Sequence, residues 1–278
     1  VVADNCALFV NGVFENYQTL DGSTLFLGAF FFTIQIYGDF SGYSDIAIGC
    51  ARLFGIDLMQ NFKYPYFSRD IAEFWRRWHI SLTTWFRDYI YIPLGGSRAG
   101  KWKSFRNTLV IFLVSGFWHG ANWTFVAWGA YHALLFLPLL LLGQNRRYRD
   151  SVAENSFLPS VKELTQMGAT FLLVLLGWIL FRSEDISQAA VYLERMFNVS
   201  LFSAPQLVGL GFGQLLLKKC FFFTALMFVV EWIGRKQAHG LMIEDLSLPV
   251  RYVIYTVLLI IIYGFDASNP QGFIYFQF

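Results

Sequence analysis

Long runs of apolar residues alternate along the chain with polar or basic connections. Residues 22–38 carry no charge across seventeen positions, and residues 164–181 carry none across eighteen. Further apolar runs cover residues 221–230 and 252–265. About twenty largely apolar residues are enough for a helix to cross a bilayer core of roughly 30 Å. The pattern therefore predicts several membrane-spanning helices.

The longest uncharged run, residues 107–145, is too long for one span. At about 1.5 Å per residue its length as a single straight helix is about 58 Å. Small and polar residues gather within it at residues 115–122, SGFWHGAN. We expect the chain to break there between two membrane segments, which places His119 at the break.

A tryptophan-rich amphipathic helix is predicted over residues 70–89, with Asp70 as its N-terminal cap. Apolar residues recur there at spacings of three and four, which is helical periodicity. The opposite face carries the polar residues Arg69, Asp70, Glu73, Arg76, Arg77, Thr84, Arg87 and Asp88. Such a helix is typical of a membrane interface. His79 points with the apolar stripe, near its edge.

Composition agrees with a membrane protein. Hydrophobic residues make up 56% of the chain and charged residues only 14%, about half of the usual charged share in a soluble domain. The formal net charge of +2 does not indicate a nucleic-acid partner. Residues 52–106 hold ten of the twenty-one Lys and Arg residues and four acids. The positive-inside rule then predicts a cytoplasmic connection, and residues 144–162 are predicted to return to the same face.

The cysteines and the start of the chain limit other assignments. Cys6, Cys50 and Cys220 lie far apart and form no CxxC pair, so the sequence predicts no disulfide framework and no metal site. The chain starts at Val1 without the pattern of a signal peptide. We expect its true beginning to be missing.

Four histidines are candidates for chemistry. An ionisable group at membrane depth is costly without a partner or a cavity, so a functional role is the first hypothesis for His119. The alternative is a packed histidine that stabilises the turn. For His79, periodicity leaves a functional role and a hydrogen-bonded anchor equally open. His132 has weaker support, and His239 is interpreted as a loop residue.

Three long segments resemble, in order, the signature segments of membrane-bound O-acyltransferases. They are DFSGYSDIAIG, NFKYPYFSRDIAEFWRRWHISLTTWFRDYIYIPLGGSR and FWHGANWTFVAWGAYH. The likeness is to the bacterial alginate O-acetyltransferase-like branch, and the final FIYFQF is similar to its usual ending. The resemblance implies an all-α fold, a multi-pass transmembrane helical bundle around a tunnel. Residues 1–278 would be the C-terminal part of a single domain in the bacterial cytoplasmic membrane.

The resemblance also implies the reaction. An acyl group, expected to be acetyl, passes from a cytoplasmic thioester donor towards hydroxyls of an exported polysaccharide such as alginate. An extracytoplasmic acyltransferase partner assists, and membrane lipid surrounds the protein. No bound cofactor or metal is implied, because acetyl-CoA or another acyl thioester is a donor substrate. The family's catalytic histidine matches His119 in its WHG motif, and its second histidine matches His79, expected at the cytoplasmic mouth of the tunnel.

Histidine chemistry suits acyl transfer. An imidazole with a pKa near 6.5 can take the proton of an attacking hydroxyl at neutral pH. His119 is the expected base, although it could instead carry the acyl group itself. His79 could orient the donor or relay a proton.

Other residues complete the predicted substrate site. We expect Gly116 and Gly120 to let the backbone approach the substrate. Asn122 or a backbone N–H could donate to the developing oxyanion. Trp118 and Trp75 are further predicted substrate-binding residues. Several basic side chains could meet a coenzyme A donor, although positive-inside topology explains their charges equally well: Arg76, Arg77, Arg98 and Lys101.

Two other functions remain as alternatives. A proton-coupled transporter relies on acid–base chains within its spans, whereas residues 107–145 and 164–181 contain no carboxylate. A silent membrane scaffold that recruits a secreted acyltransferase would not need both His79 and His119.

Overall fold

The computed structural model describes residues 1–98, 100–207 and 213–265, and no β-strand occurs in these ranges. The all-α prediction is confirmed there. The α-helices of the described residues are α1 (Val2–Glu15), α2 (Gly22–Leu53), α3 (Ile71–Arg77), α4 (Ile80–Phe86), α5 (Lys101–His119), α6 (Trp123–Leu141), α7 (Val161–Arg182), α8 (Ile186–Met196), α9 (Gln214–Gly234) and α10 (Leu248–Gly264).

The chain forms two compact units. The first consists of residues 1–43 and the described residues from 194 onward, and the second of Ser44–Leu193. In the first unit α1 packs on α9. Aromatic rings join its helices, since Phe31 lies 5.4 Å from Phe9 and 5.0 Å from Phe221 between ring centroids. The prediction of one domain over residues 1–278 remains a proposal.

The second unit is organised around a close hairpin of α5 and α6. A Cβ atom on Gly116 would overlap the main chain of Phe125, and one on Gly129 would overlap the main chain of Phe112. Glycine at these two positions therefore lets the helix backbones approach closely. The hairpin turns between His119 and Trp123, which confirms the predicted break.

Two helices of the described residues have the length and apolar composition of a membrane span. They are α6 and α7, of 19 and 22 residues, and both lie in the second unit. Helix α10 is also apolar but shorter. The multi-pass bundle and its tunnel remain predictions.

The prediction of one continuous helix over residues 70–89 is wrong. Asp70 caps α3 as expected, accepting a 2.7 Å hydrogen bond from the Glu73 amide. However, α3 ends at Arg77, and α4 begins only at Ile80. His79, in the break, has a left-handed backbone with φ 43° and ψ 55°. A π-helical turn, Arg87–Tyr91, follows α4.

The break has a tertiary cause. The amide of Ile80 donates to the Asn61 carbonyl at 2.9 Å, and the amide of Lys63 donates to the Arg77 carbonyl at 3.0 Å. The segment around residue 62 thus forms hydrogen bonds with main-chain groups that would otherwise bond within a continuous helix. Amphipathic spacing cannot reveal this competitor, because it comes from outside the helix.

Part of the polar face at α3 is buried, namely the side chains of Arg69, Glu73 and Arg77, whereas Arg76 is exposed. Glu73 is only 1% exposed and accepts bonds from the guanidinium groups of Arg69 and Arg77, at 3.0 and 2.6 Å. Arg69 also pairs with Asp150 at 3.1 Å. The connection from α6 to α7 therefore closes over this face, and its charges form a compact ion-pair network.

Candidate functional site

His79 and His119 line one pocket of about 360 Å³ in the second unit. His119 is the last residue of α5, and His79 reaches the pocket from the break between α3 and α4. A left-handed conformation is uncommon outside glycine and costs about 1–2 kcal/mol. Strain of this kind is found at functional sites, and here it occurs at a pocket-lining histidine.

Trp118 lies beside both histidine rings. Its ring centroid is 6.3 Å from that of His79 and 5.0 Å from that of His119. The side chain of Trp118 is 53% exposed and is not part of the pocket lining.

Burial lowers the pKa of His79 to about 4, so its imidazole is neutral at neutral pH.

Aromatic side chains fix the position of the His119 ring. The Trp128 ring stands perpendicular to it at 5.3 Å, and Phe181 contacts it edge-on at 5.0 Å. Trp128 is itself 1% exposed and stacks on Trp178 at 5.9 Å. An apolar aromatic wall therefore holds the imidazole in place.

The structure places Trp75 in the pocket wall. Its indole packs edge-on against Phe112 at 5.4 Å, Trp128 at 5.5 Å and His132 at 5.0 Å. Contact between Trp75 and a substrate stays a prediction. His132 is fully buried outside the pocket lining, and neither ring nitrogen has a hydrogen-bond partner within the described parts of the chain.

Asn122 is the N-terminal cap of α6. Its side-chain oxygen accepts from the Thr124 amide at 3.1 Å and caps α6, while its side-chain nitrogen donates to the Glu184 carbonyl at 2.6 Å. Asn122 does not line the pocket. One N–H of the side-chain amide remains beyond these two bonds, and an oxyanion role for Asn122 stays a prediction.

The two motif glycines serve helix packing. Gly116 meets the main chain of Phe125, and a Cβ atom on Gly120 would lie 2.6 Å from the Phe125 ring. Approach of the backbone to a substrate at these glycines stays a prediction. The space beside each glycine is filled by α6.

Arg76 lines the end of the pocket remote from His119 and also lines a second, basic pocket of about 370 Å³. Its guanidinium donates to the Asn145 and Tyr148 carbonyls. Arg146 lines both pockets as well, and Arg149 lines the basic one. Sequence reasoning used these two arginines for topology only. The sequence feature that points to Arg146 and Arg149 is the basic cluster NRRYRD at residues 145–150, which follows an apolar span.

Not every predicted basic residue joins these sites. Arg77 lines the basic pocket, where it pairs with Glu73. Arg98 and Lys101 line neither of the two pockets. Lys63, which the sequence did not single out, contributes to the basic one.

Comparison with known proteins assigns the family. Residues 11–154 match the MBOAT, membrane-bound O-acyltransferase family. The probable alginate O-acetylase AlgI of Pseudomonas aeruginosa is 41% identical over 221 residues, covering 78% of this chain and 40% of that protein. The peptidoglycan O-acetyltransferase of Helicobacter pylori is 37% identical over 200 residues, covering 72% and 36%. The teichoic acid D-alanyltransferase of Bacillus subtilis is 30% identical over 163 residues, covering 55% and 40%.

The chain spans roughly two fifths of the length of these relatives. The family match nevertheless covers more than half of the chain and includes the α3–α4 break, His79 and His119. The chain belongs to the membrane-bound O-acyltransferase family.

Proposed function

We propose that the protein is a membrane O-acyltransferase that moves an acetyl group from a cytoplasmic thioester towards hydroxyls of an exported polysaccharide. The observation that supports this most is that His79 and His119, far apart in sequence, line one pocket. Relatives named for O-acetylation of alginate and of peptidoglycan support an acetyl group and a polymer acceptor.

In the proposed reaction His119 acts as general base. It takes the proton of the acceptor hydroxyl as the oxygen attacks the thioester carbonyl. The carbon–sulfur bond then breaks, and the imidazolium returns the proton to the departing thiolate. One ester and one thiol are formed from one hydroxyl and one thioester. His79, neutral at neutral pH, orients the thioester by hydrogen bonding.

The surrounding structure has two tasks in this proposal. The aromatic wall of Trp128 and Phe181 holds the His119 ring and keeps water from hydrolysing the thioester. A multi-pass bundle in the bacterial cytoplasmic membrane, of which residues 1–278 form the C-terminal part, would surround a tunnel. An extracytoplasmic partner protein would receive the acyl group and pass it to the polymer.

The decisive experiment replaces His119 by Ala in the intact protein and measures polymer acetylation in cells. General-base catalysis typically contributes about 10²–10⁴-fold, so acetylation should fall to background while the protein remains in the membrane. His132→Leu is the matched control, a buried histidine outside the pocket lining, and should retain acetylation. Normal acetylation in a well-expressed His119→Ala strain contradicts the assignment.

A further inference from the structure

The chain that leads into α5 and the first turns of this helix expose both aromatic and basic side chains. Residues 101–103 read KWK, and Trp102 is 78% exposed between two exposed lysines, Lys101 and Lys103. Arg98 and Arg106, on either side along the chain, are exposed as well. Arg98 and Lys101 line neither of the two pockets, so the candidate substrate site does not explain their charges.

The segment before α5 is fixed to this helix. The carbonyl of Leu94 accepts hydrogen bonds from the side chains of Arg106 and Asn107, at 3.2 and 3.1 Å. The π-helical turn Arg87–Tyr91 also packs against α5. Tyr89 in this turn and Ile92 after it are 68% and 57% exposed.

These segments together form what is here called the aromatic–basic surface. It is defined by exposed side chains of the second unit, namely Tyr89, Ile92, Arg98, Lys101, Trp102, Lys103 and Arg106.

The aromatic–basic surface carries positive charge without acids of its own. The sequence holds no Asp or Glu from residue 89 to residue 149. Within the described ranges, no carboxylate lies at ion-pair distance from the four basic side chains of the surface. The neighbouring Asp88 is already paired with Arg87, at 2.7 Å. Charge complementarity therefore calls for an anionic partner.

Packing within the α5–α6 hairpin sets the level of this surface along a membrane span. Helix α6 has the length and apolar composition of a span. Phe105 of α5 and Leu140 of α6 pack against the same buried cluster around Phe112, so the first turns of α5 lie beside the last turn of α6. The Trp102 ring lies 6.1 Å from that of Phe105 between centroids. The surface is thus located where the α6 span ends.

A lipid bilayer offers a matching partner at this level. Tryptophan and tyrosine are enriched where acyl chains meet head groups, because their rings are apolar at one end and polar at the other. The cytoplasmic leaflet contains anionic lipids that attract Lys and Arg next to a span. The positive-inside rule predicts residues 52–106 on that side of the membrane. Both the rings and the charges of the surface therefore fit a phospholipid with an anionic head.

We propose that the aromatic–basic surface binds anionic phospholipids of the cytoplasmic leaflet. Lys101 and Lys103 contact the head-group phosphates, and Trp102 lies at the boundary of the acyl chains. The side chains of the surface lie outside the linings of the histidine pocket and the basic pocket. The lipid site is therefore separate from the candidate substrate site, and the proposal does not depend on the reaction proposed above.

The test measures the lipid preference of the intact protein. The protein in detergent is titrated with phosphatidylglycerol and, separately, with phosphatidylcholine, and native mass spectrometry counts the bound lipids. In a Lys101→Gln/Lys103→Gln variant, phosphatidylglycerol should bind at least about ten-fold more weakly, since each basic residue beside anionic lipid contributes about five-fold. Phosphatidylcholine binding should stay unchanged. Glutamine is as good a helix former as lysine, so the variant should keep α5.

Two further measurements separate charge from apolar contact. Added salt should weaken phosphatidylglycerol binding by the wild-type protein, because exposed charges are screened. Trp102→Ala should weaken the binding of both lipids, because the ring contacts the acyl-chain boundary in either case.

Arg147→Gln/Lys162→Gln is the matched control. It also removes two exposed positive charges from residues predicted to lie on the same side of the membrane, but outside the aromatic–basic surface. Its preference for phosphatidylglycerol should equal that of the wild type.

Several outcomes overturn the proposal. Unchanged phosphatidylglycerol binding in the Lys101/Lys103 variant is one, and salt-independent binding by the wild type is another. An equal loss in the control variant would show that general surface charge, and not this surface, attracts the lipid. Loss of acetyl-CoA binding in the Lys101/Lys103 variant, with phosphatidylglycerol binding intact, would assign the charges to a soluble anion instead.

Discussion

Glu73 lies one helical turn from both Arg69 and Arg77 and accepts a hydrogen bond from each guanidinium group. The three side chains are buried together. Asp150, in the connection between α6 and α7, pairs with Arg69 and extends the network. Burial alone would lower the pKa of Arg69, but the attraction of its guanidinium to Glu73 and Asp150 is stronger and raises that pKa. The network therefore links α3, which carries part of the pocket wall, to the connection between α6 and α7.

Glu73→Gln should destabilise the protein strongly. The substitution leaves two buried arginines with too little negative charge, and breaking a buried ion pair from one side typically costs about 3–5 kcal/mol. The midpoint of thermal unfolding in detergent measures this loss. Asp88→Asn is the control, because Asp88 pairs with Arg87 at the surface and should change the midpoint little. Similar midpoints for the two variants would show that the network does not stabilise the fold.

Substitutions at His79 should separate its backbone from its imidazole. Asparagine tolerates the left-handed conformation, whereas a β-branched residue does not. His79→Val should therefore be about 1–2 kcal/mol less stable than His79→Asn. Both variants should lose most polymer acetylation. Full acetylation by His79→Asn would show that the imidazole is not needed and would remove His79 from the proposed mechanism.

Gly129→Ala should disturb the α5–α6 hairpin. The new Cβ atom would overlap the main chain of Phe112, and overpacking of this kind typically costs about 1–3 kcal/mol. Gly168, in α7, has open space at the same position, so Gly168→Ala should be neutral or stabilising by up to about 1 kcal/mol. Thermal unfolding of both variants tests the difference. An unchanged midpoint for Gly129→Ala would contradict the close backbone approach.

Asn122→Ser distinguishes a helix cap from an oxyanion donor. Serine keeps the cap to the Thr124 amide but loses the side-chain nitrogen. Acetylation should stay within a few-fold of the wild type, whereas Asn122→Ala should lose about 1 kcal/mol of stability. Removal of a true oxyanion donor costs about 10²–10³ in rate. A loss of that size in a stable Asn122→Ser variant would restore the original interpretation.

The sequence pattern was most informative where local sequence determines the structure without help from distant residues. Residues 107–145 have to break, because one helix of that length exceeds any bilayer, and the small residues before Asn122 offered a turn. The structure places the turn there. His119 could be located at a helix end for the same reason.

Periodicity failed where distant residues intervene. The amphipathic spacing continues through His79, yet the helix ends where the Asn61 carbonyl accepts from Ile80 and the Lys63 amide donates to Arg77. The burial of Glu73 also depends on Asp150, which lies in another part of the sequence. The four-residue spacing of Arg69, Glu73 and Arg77 suits ion pairs along a helix. It could not show that the pairs are covered.

Arg76 and Arg77 of α3 bind the connection after α6 through the main-chain oxygens of Asn145, Tyr148 and Asp150, and these bonds do not depend on the side chains at positions 146, 147 and 149. Positions 146, 147 and 149 can therefore accept new residues without loosening the connection between α6 and α7.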